Sequence, residues 1–309
     1  MCHKSERPAH QGVPLHLRKS SALRPPGRSP KMAAKQLPEG NTAMRDSEYD
    51  LIKFDATRAG VAIVTLNRPD VHNAFNAELI AELTDVFTMI ADQTSIRMMI
   101  LRGEGPSFSA GADLAWMKRA ATHTREENED DAQRLAEMLQ RLYEMPQMTL
   151  ALVHGTAMGG GAGLVAACDV AIAMAGTTFR FSEVRLGLTP ATISPFVIDA
   201  IGPRWARALF VTAESFDAAY AERIGLVQYV AQTADEMAEL EENVAKLVFA
   251  AAPGAVADAK KLVRDVAGRP IDRELGQKTA KRIAARRSSA EGKEGIAAFL
   301  EKRPPSWKA

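Results

Sequence analysis

The sequence has few cysteines: Cys2 and Cys168 are the two among 309 residues. Two cysteines this far apart do not form the disulfide framework of a small secreted domain, so we expect a reducing compartment. No apolar run reaches the roughly 18 residues of a membrane-spanning helix. A G-x-S-x-G sequence is missing, which argues against a serine hydrolase. These absences favour a globular protein of the cytoplasm, or of the mitochondrial matrix in a eukaryote, with no membrane partner.

Charge is unevenly distributed along the chain. Residues 1–45 carry nine Lys and Arg against two acids, a formal charge of +7, whereas the remainder carries 30 basic and 36 acidic residues. The same segment holds six of the 16 prolines and has no hydrophobic periodicity. We therefore predict that residues 1–45 are a disordered basic extension.

Three other interpretations of this extension remain open. An over-long reading frame, with the true start at Met32 or Met44, explains it simply. An organellar transit peptide is basic and poor in acids, but the prolines oppose its amphipathic helix. A nucleic-acid-binding arm is the least favoured, because no aromatic residue is interleaved to stack on bases.

Beyond this extension, strand-like and helix-like patterns alternate. The runs YDLIKFDAT and GVAIVTLNRP predict a hairpin that turns at residues 58–60. Asn76 is placed to cap the helix that follows, and from Ile193 onward the patterns are mostly helical. We therefore predict an α/β core over residues 46–245 and a helical C-terminal module over residues 246–309.

The segment ALVHGTAMGGGAGLVAACD, residues 151–169, places three glycines between two apolar runs. A helix that begins at Gly159 or Gly160 leaves its first N–H groups unpaired, and the helix end adds partial positive charge. Glycine lets a ligand approach these groups because no Cβ is in the way. The segment is thus suited to a negative oxygen, either of a phosphate or of a developing oxyanion.

A second loop, SFSAGADLAWM, has the same character. Small residues follow the predicted strand RMMILRG, and a helix is predicted to start near Ala112. If the two loops end neighbouring strands, their N–H groups can meet at one oxygen. That arrangement stabilises an enolate.

Five segments together are similar to those of the enoyl-CoA hydratase/isomerase (crotonase) superfamily. They are NRPDVHNAFN, FSAGADLAWM, VHGTAMGGGAGLVAACDVAIA, FRFSEVRLGLTP and AAFLEKR, in the family's order over about residues 48–305. The resemblance implies an α/β spiral of ββα units with a helical C-terminal trimerisation module. It also implies an acyl-CoA substrate, no separate cofactor or metal, and assembly as a homotrimer or a hexamer of two trimers. In detail, SAGADLAWMKRAA and SEVRLGLTPATISPFVIDAIG resemble bacterial methylglutaconyl-CoA and isohexenylglutaconyl-CoA hydratases of leucine and acyclic terpene breakdown.

The resemblance also implies a role for particular residues. The N–H groups of Ala112 and Gly160 match the family's two oxyanion donors, and Glu183 matches a catalytic glutamate. Water would add to C3 of an unsaturated thioester while C2 gains a proton, and the donors would stabilise charge on the thioester oxygen. A carboxylate near apolar walls has a raised pKa, which suits a base. Candidates for those walls are Phe179, Phe181, Leu186 and Leu188.

Further residues are candidates for substrate or CoA contacts. Asp113 fits a first-turn helix anion better than a second acid, and Trp116 fits a core position equally well. Where several relatives have Lys after NRP, this chain has Asp70, so one phosphate contact is not expected. The full set of candidates is Ala110, Gly111, Asp113, Leu114, Trp116, Gly159, Gly163, Leu188, Phe299 and Lys302.

One departure from the family pattern concerns the mechanism. Well-studied hydratases have a second glutamate two residues after the glycine triplet, where this chain has Gly163. Glu183 alone can activate water that also returns a proton to C2. Alternatively, a distal carboxylate of the substrate occupies the vacated space, where a second glutamate would repel it. A single acid also suits an isomerase, which shuttles one proton. We favour hydration because the nearest resemblance is to hydratases.

Two other classes of protein share single features with this sequence. Gly161, Gly163 and Ala166 match G-x-G-x-x-A, with Glu183 about 20 residues on, as in dinucleotide-binding dehydrogenases. However, HGTAM separates the strand from the glycines, so the tight turn is missing. An RNA-binding protein that uses the basic extension is the second hypothesis. Neither is favoured, and a nucleic-acid partner is not expected.

Overall fold

The first two strands form the hairpin that the sequence predicts. The computed structural model describes residues 49–57 and 59–308. Strands β1 (Ile52–Ala56) and β2 (Val61–Leu66) pair antiparallel, with Ile52 opposite Leu66. Thr57 and Gly60 close the turn through the N–H of Gly60, which donates to Thr57 O at 3.0 Å. The predicted extension over residues 1–45 lies outside the described residues.

A six-stranded sheet forms the centre of the fold. Its order is β1-β2-β3-β4-β6-β9, and every pairing after the first is parallel. All six residues of β4 are buried, as expected for a strand covered on both faces. The remaining strands of this sheet are β3 (Met98–Gly103), β4 (Met148–Val153), β6 (Val170–Met174) and β9 (Tyr229–Ala231).

A second, smaller sheet stands beside the first. It contains β5 (Thr156–Met158), β7 (Thr178–Arg180) and β8 (Phe216–Asp217), with β7 in the centre. Strand β5 follows β4 after a turn at Gly155, which has φ 63°. The glycine triplet therefore follows β5, not the long parallel strand β4. In a dinucleotide-binding fold the glycines follow a strand of the central parallel sheet, whereas here they directly follow a short strand of the second sheet.

Helices connect the strands and form the C-terminal part. In the described residues they are α1 (Ala77–Ala91), α2 (Leu114–Ala120), α3 (Arg125–Glu144), α4 (Gly160–Ala167), α5 (Ser194–Thr212), α6 (Ala218–Ile224), α7 (Ala234–Ala250), α8 (Pro253–Val266), α9 (Arg273–Ser288) and α10 (Ala290–Leu300). Short 3₁₀ helices cover Pro69–Val71, Glu183–Leu186 and Ser306–Lys308.

Sequence signals explain where several helices begin. The Asn76 side chain accepts from the N–H of Leu79 and caps α1 as predicted. Thr124 and Glu127 form a capping box at the start of α3. Glu126 and Glu127 are exposed in the first turn of α3, where their carboxylates interact favourably with the positive end of the helix dipole. Helix α5 is interrupted at Gly202, which has φ 75° and ψ 160° and is followed by Pro203, so two helical segments meet at a kink there.

Alternate residues of the central strands face two different cores. Met99 and Leu101 of β3 join the larger core, to which α1 contributes Leu83. Met98 and Ile100 join a smaller core on the other face, with α7. This period-2 alternation buries β3 on both sides and fixes its register.

The C-terminal helices are anchored to the sheet through α8. Lys260 Nζ lies 2.7 Å from Asp169 Oδ2, and it also donates to Gln147 O at 2.7 Å. The proposed boundary at residues 245/246 falls inside the continuous helix α7, so the division into core and C-terminal module stays a prediction. No helix among the described residues is both long and apolar enough to cross a bilayer.

Candidate active site

Two glycine-containing loops run side by side at the carboxyl edge of the central sheet. The loop before α2 follows β3. The loop before α4 follows β4 and then β5. Strands β3 and β4 are neighbours in the central sheet. The N–H of Ser109 donates to Thr156 O at 3.0 Å, and the N–H of Met158 donates to Ser109 O at 2.9 Å. A Cβ built on Gly111 would lie 3.0 Å from Met158 O and 3.9 Å from Gly159 Cα. The two loops are thus in backbone contact.

The N–H of Ala112 is left free by a β-bridge between Phe75 and Ala112. The N–H of Phe75 donates to Gly111 O at 2.6 Å, and the N–H of Asp113 donates to Phe75 O at 2.8 Å. The N–H of Ala112, between these two bonds, has no acceptor among the described residues. Helix α2 begins at Leu114, two residues later than the predicted start, so Ala112 is a loop residue.

The N–H of Gly160 is free for a different reason. Gly160 is the first residue of α4, and the first N–H groups of a helix have no intrahelical partner. The preceding Gly159 donates to Arg180 O at 2.9 Å, whereas no acceptor for Gly160 lies in the described part of the chain. Gly159 has φ 48° and ψ −118°, a conformation that favours glycine. The loops therefore present two unpaired N–H groups from adjacent segments.

The Glu183 carboxylate lies against the second loop. A Cβ built on Gly159 would be 3.2 Å from Glu183 Oε1 and 4.0 Å from Gly111 Cα. Glu183 is half-buried, and its Oε2 is buried with no hydrogen-bond partner in the described structure. Burial raises the pKa of Glu183. A carboxyl group with a raised pKa and a free oxygen, next to free N–H groups, suits proton transfer at an acyl group.

The Asp113 side chain caps α2 and pairs with Arg68, and its contact with substrate or CoA stays a prediction. Its Oδ1 accepts from the N–H groups of Ala115 and Trp116, and its Oδ2 lies 2.9 Å from Arg68 Nη2. The hydrogen bonds from Arg68 and α2 outweigh burial and lower the pKa of Asp113. Both carboxylate oxygens are therefore occupied by the N-cap and the ion pair.

We expect Asp113→Ala to destabilise the fold by about 1–2 kcal/mol, because α2 loses its N-cap and Arg68 its partner. Chemical denaturation at pH 7 measures this change. Since the pKa of Asp113 is lowered, its contribution is present at neutral pH and is lost as the pH falls through the folded pKa. A substitution that left the free energy of unfolding unchanged would contradict the capping role.

The hypothesis of a vacated space at Gly163 is wrong. Gly163 is buried, and a Cβ there would lie 2.4 Å from Ile193 Cγ2 and 3.8 Å from Leu139 Cδ1. The side chain of Ile193 fills the position, so a substrate carboxylate has no room at it. Gly163 is accordingly removed from the substrate-contacting candidates.

The predicted apolar walls are only partly correct. Phe179 and Phe181 are 0% and 1% exposed and pack with Phe216 in the core, so they lie behind the site. Leu186 and Leu188 are 58% and 56% exposed, on the surface near Glu183. Phe179 and Phe181 therefore do not line the site, whereas Leu186 and Leu188 stay candidates for its apolar walls.

The remaining binding candidates occupy varied positions. Trp116 is half-buried and its Nε1 donates to Asp131 Oδ2 at 3.2 Å, which links α2 to α3. The N–H of Ala110 donates to His72 O at 2.9 Å, which joins the first loop to the segment before α1. Leu114 is 75% exposed beside this loop, and Phe299, 82% exposed, lies with Lys302 at the end of α10. The CoA contacts of Leu114, Phe299 and Lys302 stay predictions.

Sequence reasoning missed two residues of the site. Phe75 forms the β-bridge that leaves the Ala112 N–H unpaired. Its ring also lies against Gly160, since a Cβ built there would be 2.4 Å from Phe75 Cε2. Ile193 occupies the space beside Gly163. Neither residue is polar or titratable. The only available signal was the small size of Gly160 and Gly163, which implies a bulky partner nearby.

Other titratable residues have local explanations. His72 Nδ1 lies 3.0 Å from Ser107 Oγ, and His154 Nε2 lies 2.8 Å from Gly105 O. Burial raises the pKa of the Cys168 thiol, which opposes a nucleophilic role. Among the described residues, no three His, Cys, Asp or Glu side chains cluster as metal ligands would. The absence of a cofactor stays a prediction.

Comparisons with known proteins establish the class. The family model for enoyl-CoA hydratase/isomerase matches residues 56–309. A crotonyl-CoA hydratase of Syntrophomonas wolfei is 33% identical over 250 residues, covering 80% of this chain and 94% of that protein. Enoyl-CoA hydratase AKT6-1 of Alternaria alternata is 33% identical over 224 residues, covering 71% of this chain and 70% of that protein. The crystal structure of an enoyl-CoA hydratase from Shewanella pealeana superposes with a TM-score of 0.82 at 37% identity, covering 85% of this chain and 97% of that one.

The fold is therefore the crotonase fold, as predicted. The chain belongs to the enoyl-CoA hydratase/isomerase family. It is an enzyme with the enoyl-CoA hydratase/isomerase function of this family.

Proposed function

We propose that the protein hydrates the α,β double bond of an unsaturated acyl-CoA. The observation that carries this proposal is the Glu183 carboxylate, with a free Oε2, placed beside two loops with unpaired N–H groups. The N–H groups of Ala112 and Gly160 would hold the thioester oxygen as negative charge develops on it. Glu183 would take a proton from the water that attacks C3. The same group would return a proton to C2.

For the substrate, we propose a carboxylated enoyl-CoA of the 3-methylglutaconyl type, as in leucine or acyclic terpene breakdown. Support comes from the similarity of SAGADLAWMKRAA and SEVRLGLTPATISPFVIDAIG to hydratases of that type. The distal carboxylate would bind away from Gly163, because Ile193 fills that position. We also propose a homotrimer or a hexamer of two trimers, supported by exposed apolar side chains on α9 and α10, including Ile283, Ile296 and Leu300.

The experiment compares crotonyl-CoA, 3-methylglutaconyl-CoA and a 3-enoyl-CoA as substrates. Hydration removes the absorbance of the conjugated thioester and incorporates ¹⁸O from labelled water into the product. We expect incorporation with the first two compounds, and a higher kcat/KM for the carboxylated one. Double-bond movement in the 3-enoyl-CoA without ¹⁸O incorporation in any product would identify an isomerase, for which a single carboxylate suffices.

The pH profile follows from the raised pKa of Glu183. The base acts in its ionised form, so kcat/KM is lost as the pH falls through the folded pKa. Because burial raises this pKa, the acidic limb lies above the ordinary value of 4.5 for a glutamate. Measurement of kcat/KM for the free enzyme across the acid range checks this. An acidic limb at or below 4.5 contradicts the assignment.

A further inference from the structure

Two side chains approach glycines at the start of α4. The N–H of Gly163 donates to Gly159 O at 3.0 Å, so the two glycines are one helical turn apart. A Cβ at Gly159 would lie 3.2 Å from Glu183 Oε1, and a Cβ at Gly163 would lie 2.4 Å from Ile193 Cγ2. Glu183 and Ile193 therefore approach two backbone positions that are one helical turn apart.

The side chain of Ile193 has little freedom to leave this position. It is 1% exposed and lies directly before α5, where its carbonyl oxygen accepts from the N–H of Val197 at 3.1 Å. Leu139 of α3 also approaches the position of a Cβ at Gly163. A β-branched side chain is restricted at χ1. Any larger residue at position 163 must therefore displace Ile193 or α4.

We propose that Ile193 determines the one-carboxylate chemistry of this site: it fills the place that a side chain at position 163 would take, and it closes one side of Glu183 to solvent. The proposal rests on the proposed function of Glu183 as the base. Gly163 and Ile193 form a pair of complementary size. The Ile193 side chain excludes both a second acid and bulk water from the place that a side chain at position 163 would take.

The polar environment of Glu183 agrees with this role. Its Oε2 is buried and has no partner among the described residues, and burial raises the pKa of Glu183. An aliphatic neighbour in contact with α4 removes water without offering a hydrogen bond. Ile193 is thus a positioning residue that acts through Glu183 and not on the substrate.

The first experiment measures steric complementarity with three variants: Gly163→Glu, Ile193→Ala, and the double variant. Gly163→Glu alone overfills the interface between α4 and Ile193, so its melting temperature falls. The double variant has room for the new carboxylate, and we expect it to hydrate crotonyl-CoA at least about tenfold faster than Gly163→Glu. Equal rates and equal melting temperatures in these two variants overturn the pairing.

The second experiment does not depend on turnover. The carboxyl group of Glu183 is titrated by ¹³C NMR in the wild type, Ile193→Ala and Ile193→Val. Water admitted by Ile193→Ala should lower the pKa of Glu183, and Ile193→Val should change it less. Ile201→Ala is the matched control, because Ile201 is a buried isoleucine of α5, eight residues further on. An unchanged titration in Ile193→Ala overturns the proposal.

The two experiments separate this proposal from the proposed function. If wild type hydrates no unsaturated acyl-CoA but the pKa of Glu183 still falls in Ile193→Ala, the hydratase assignment fails and the role of Ile193 stands. If wild type is an active hydratase and the titration is the same in Ile193→Ala and Ile201→Ala, the role of Ile193 fails alone.

Discussion

Glu183→Gln should lower kcat by about 10²- to 10⁴-fold, the range expected when a positioned acid–base group is removed. The amide keeps the size and shape of the side chain but cannot accept a proton. We expect binding of the CoA ester to survive, since the free N–H groups of Ala112 and Gly160 are unchanged. Steady-state kinetics with the hydrated substrate, and calorimetric titration with an unreactive acyl-CoA, measure the two effects.

The same variant should be more stable than the wild type at neutral pH. Burial raises the pKa of Glu183, which means that the ionised form is less favourable in the folded state than in the unfolded state. This cost is present above the folded pKa and disappears as the pH falls below the unfolded pKa. Glu183→Gln removes the cost, so its melting temperature should exceed that of the wild type at pH 7 and converge with it in acid.

Glu241 offers a matched control for this prediction. It lies on α7, is half-buried, and burial raises its pKa as well. Glu241→Gln should therefore raise the melting temperature in the same direction but leave kcat unchanged. A normal kcat in Glu183→Gln would remove Glu183 from the mechanism, and an equal loss in both variants would point to a general effect of the substitution.

The sequence predicts those parts of the fold that depend on local patterns. Asn76 caps α1, the glycine triplet begins α4, and the β1–β2 hairpin turns where Gly60 permits a positive φ. Each of these features is decided within a few residues by capping, helix-end chemistry or backbone sterics. The predicted strand RMMILRG is β3.

Long-range contacts at the site could not be predicted in this way. The bridge between Phe75 and Ala112 joins segments 37 positions apart, and Ile193 meets Gly163 from the end of a different helix. A short apolar segment does not reveal which backbone it will contact, because burial is not directional. Phe179 was misjudged for the same reason: its position near Glu183 in the chain does not show that it points into the core.

Phe75 connects both candidate oxyanion donors. Its backbone forms hydrogen bonds with the residues on either side of Ala112. Its ring lies against Gly160: a Cβ built on Gly160 would be 2.4 Å from Phe75 Cε2 and 2.6 Å from Phe75 Cδ2. The ring is 1% exposed and is therefore held by the core. Glycine at position 160 allows the first turn of α4 to lie directly on this ring. The spacing between the two N–H groups therefore depends on the absence of a side chain at Gly160.

Gly160→Ala should consequently lower kcat by about 100-fold, because its methyl group pushes the first turn of α4 away from Phe75 and displaces one donor. KM should change less, since charge on the thioester oxygen is greatest in the transition state. Gly160→Ala/Phe75→Leu makes room for the methyl group and should recover part of the rate. Steady-state kinetics of both variants measure this.

Gly276→Ala is the matched control for this substitution. Gly276 lies inside α9, and a Cβ there would meet no atom within 4 Å. Alanine should stabilise this helix by up to about 1 kcal/mol and leave kcat unchanged. If Gly160→Ala also kept the wild-type kcat, the N–H of Gly160 would not be an oxyanion donor, because a displaced donor cannot stabilise the same charge. If the rate fell but Phe75→Leu restored none of it, contact with the ring would not be what positions the donor.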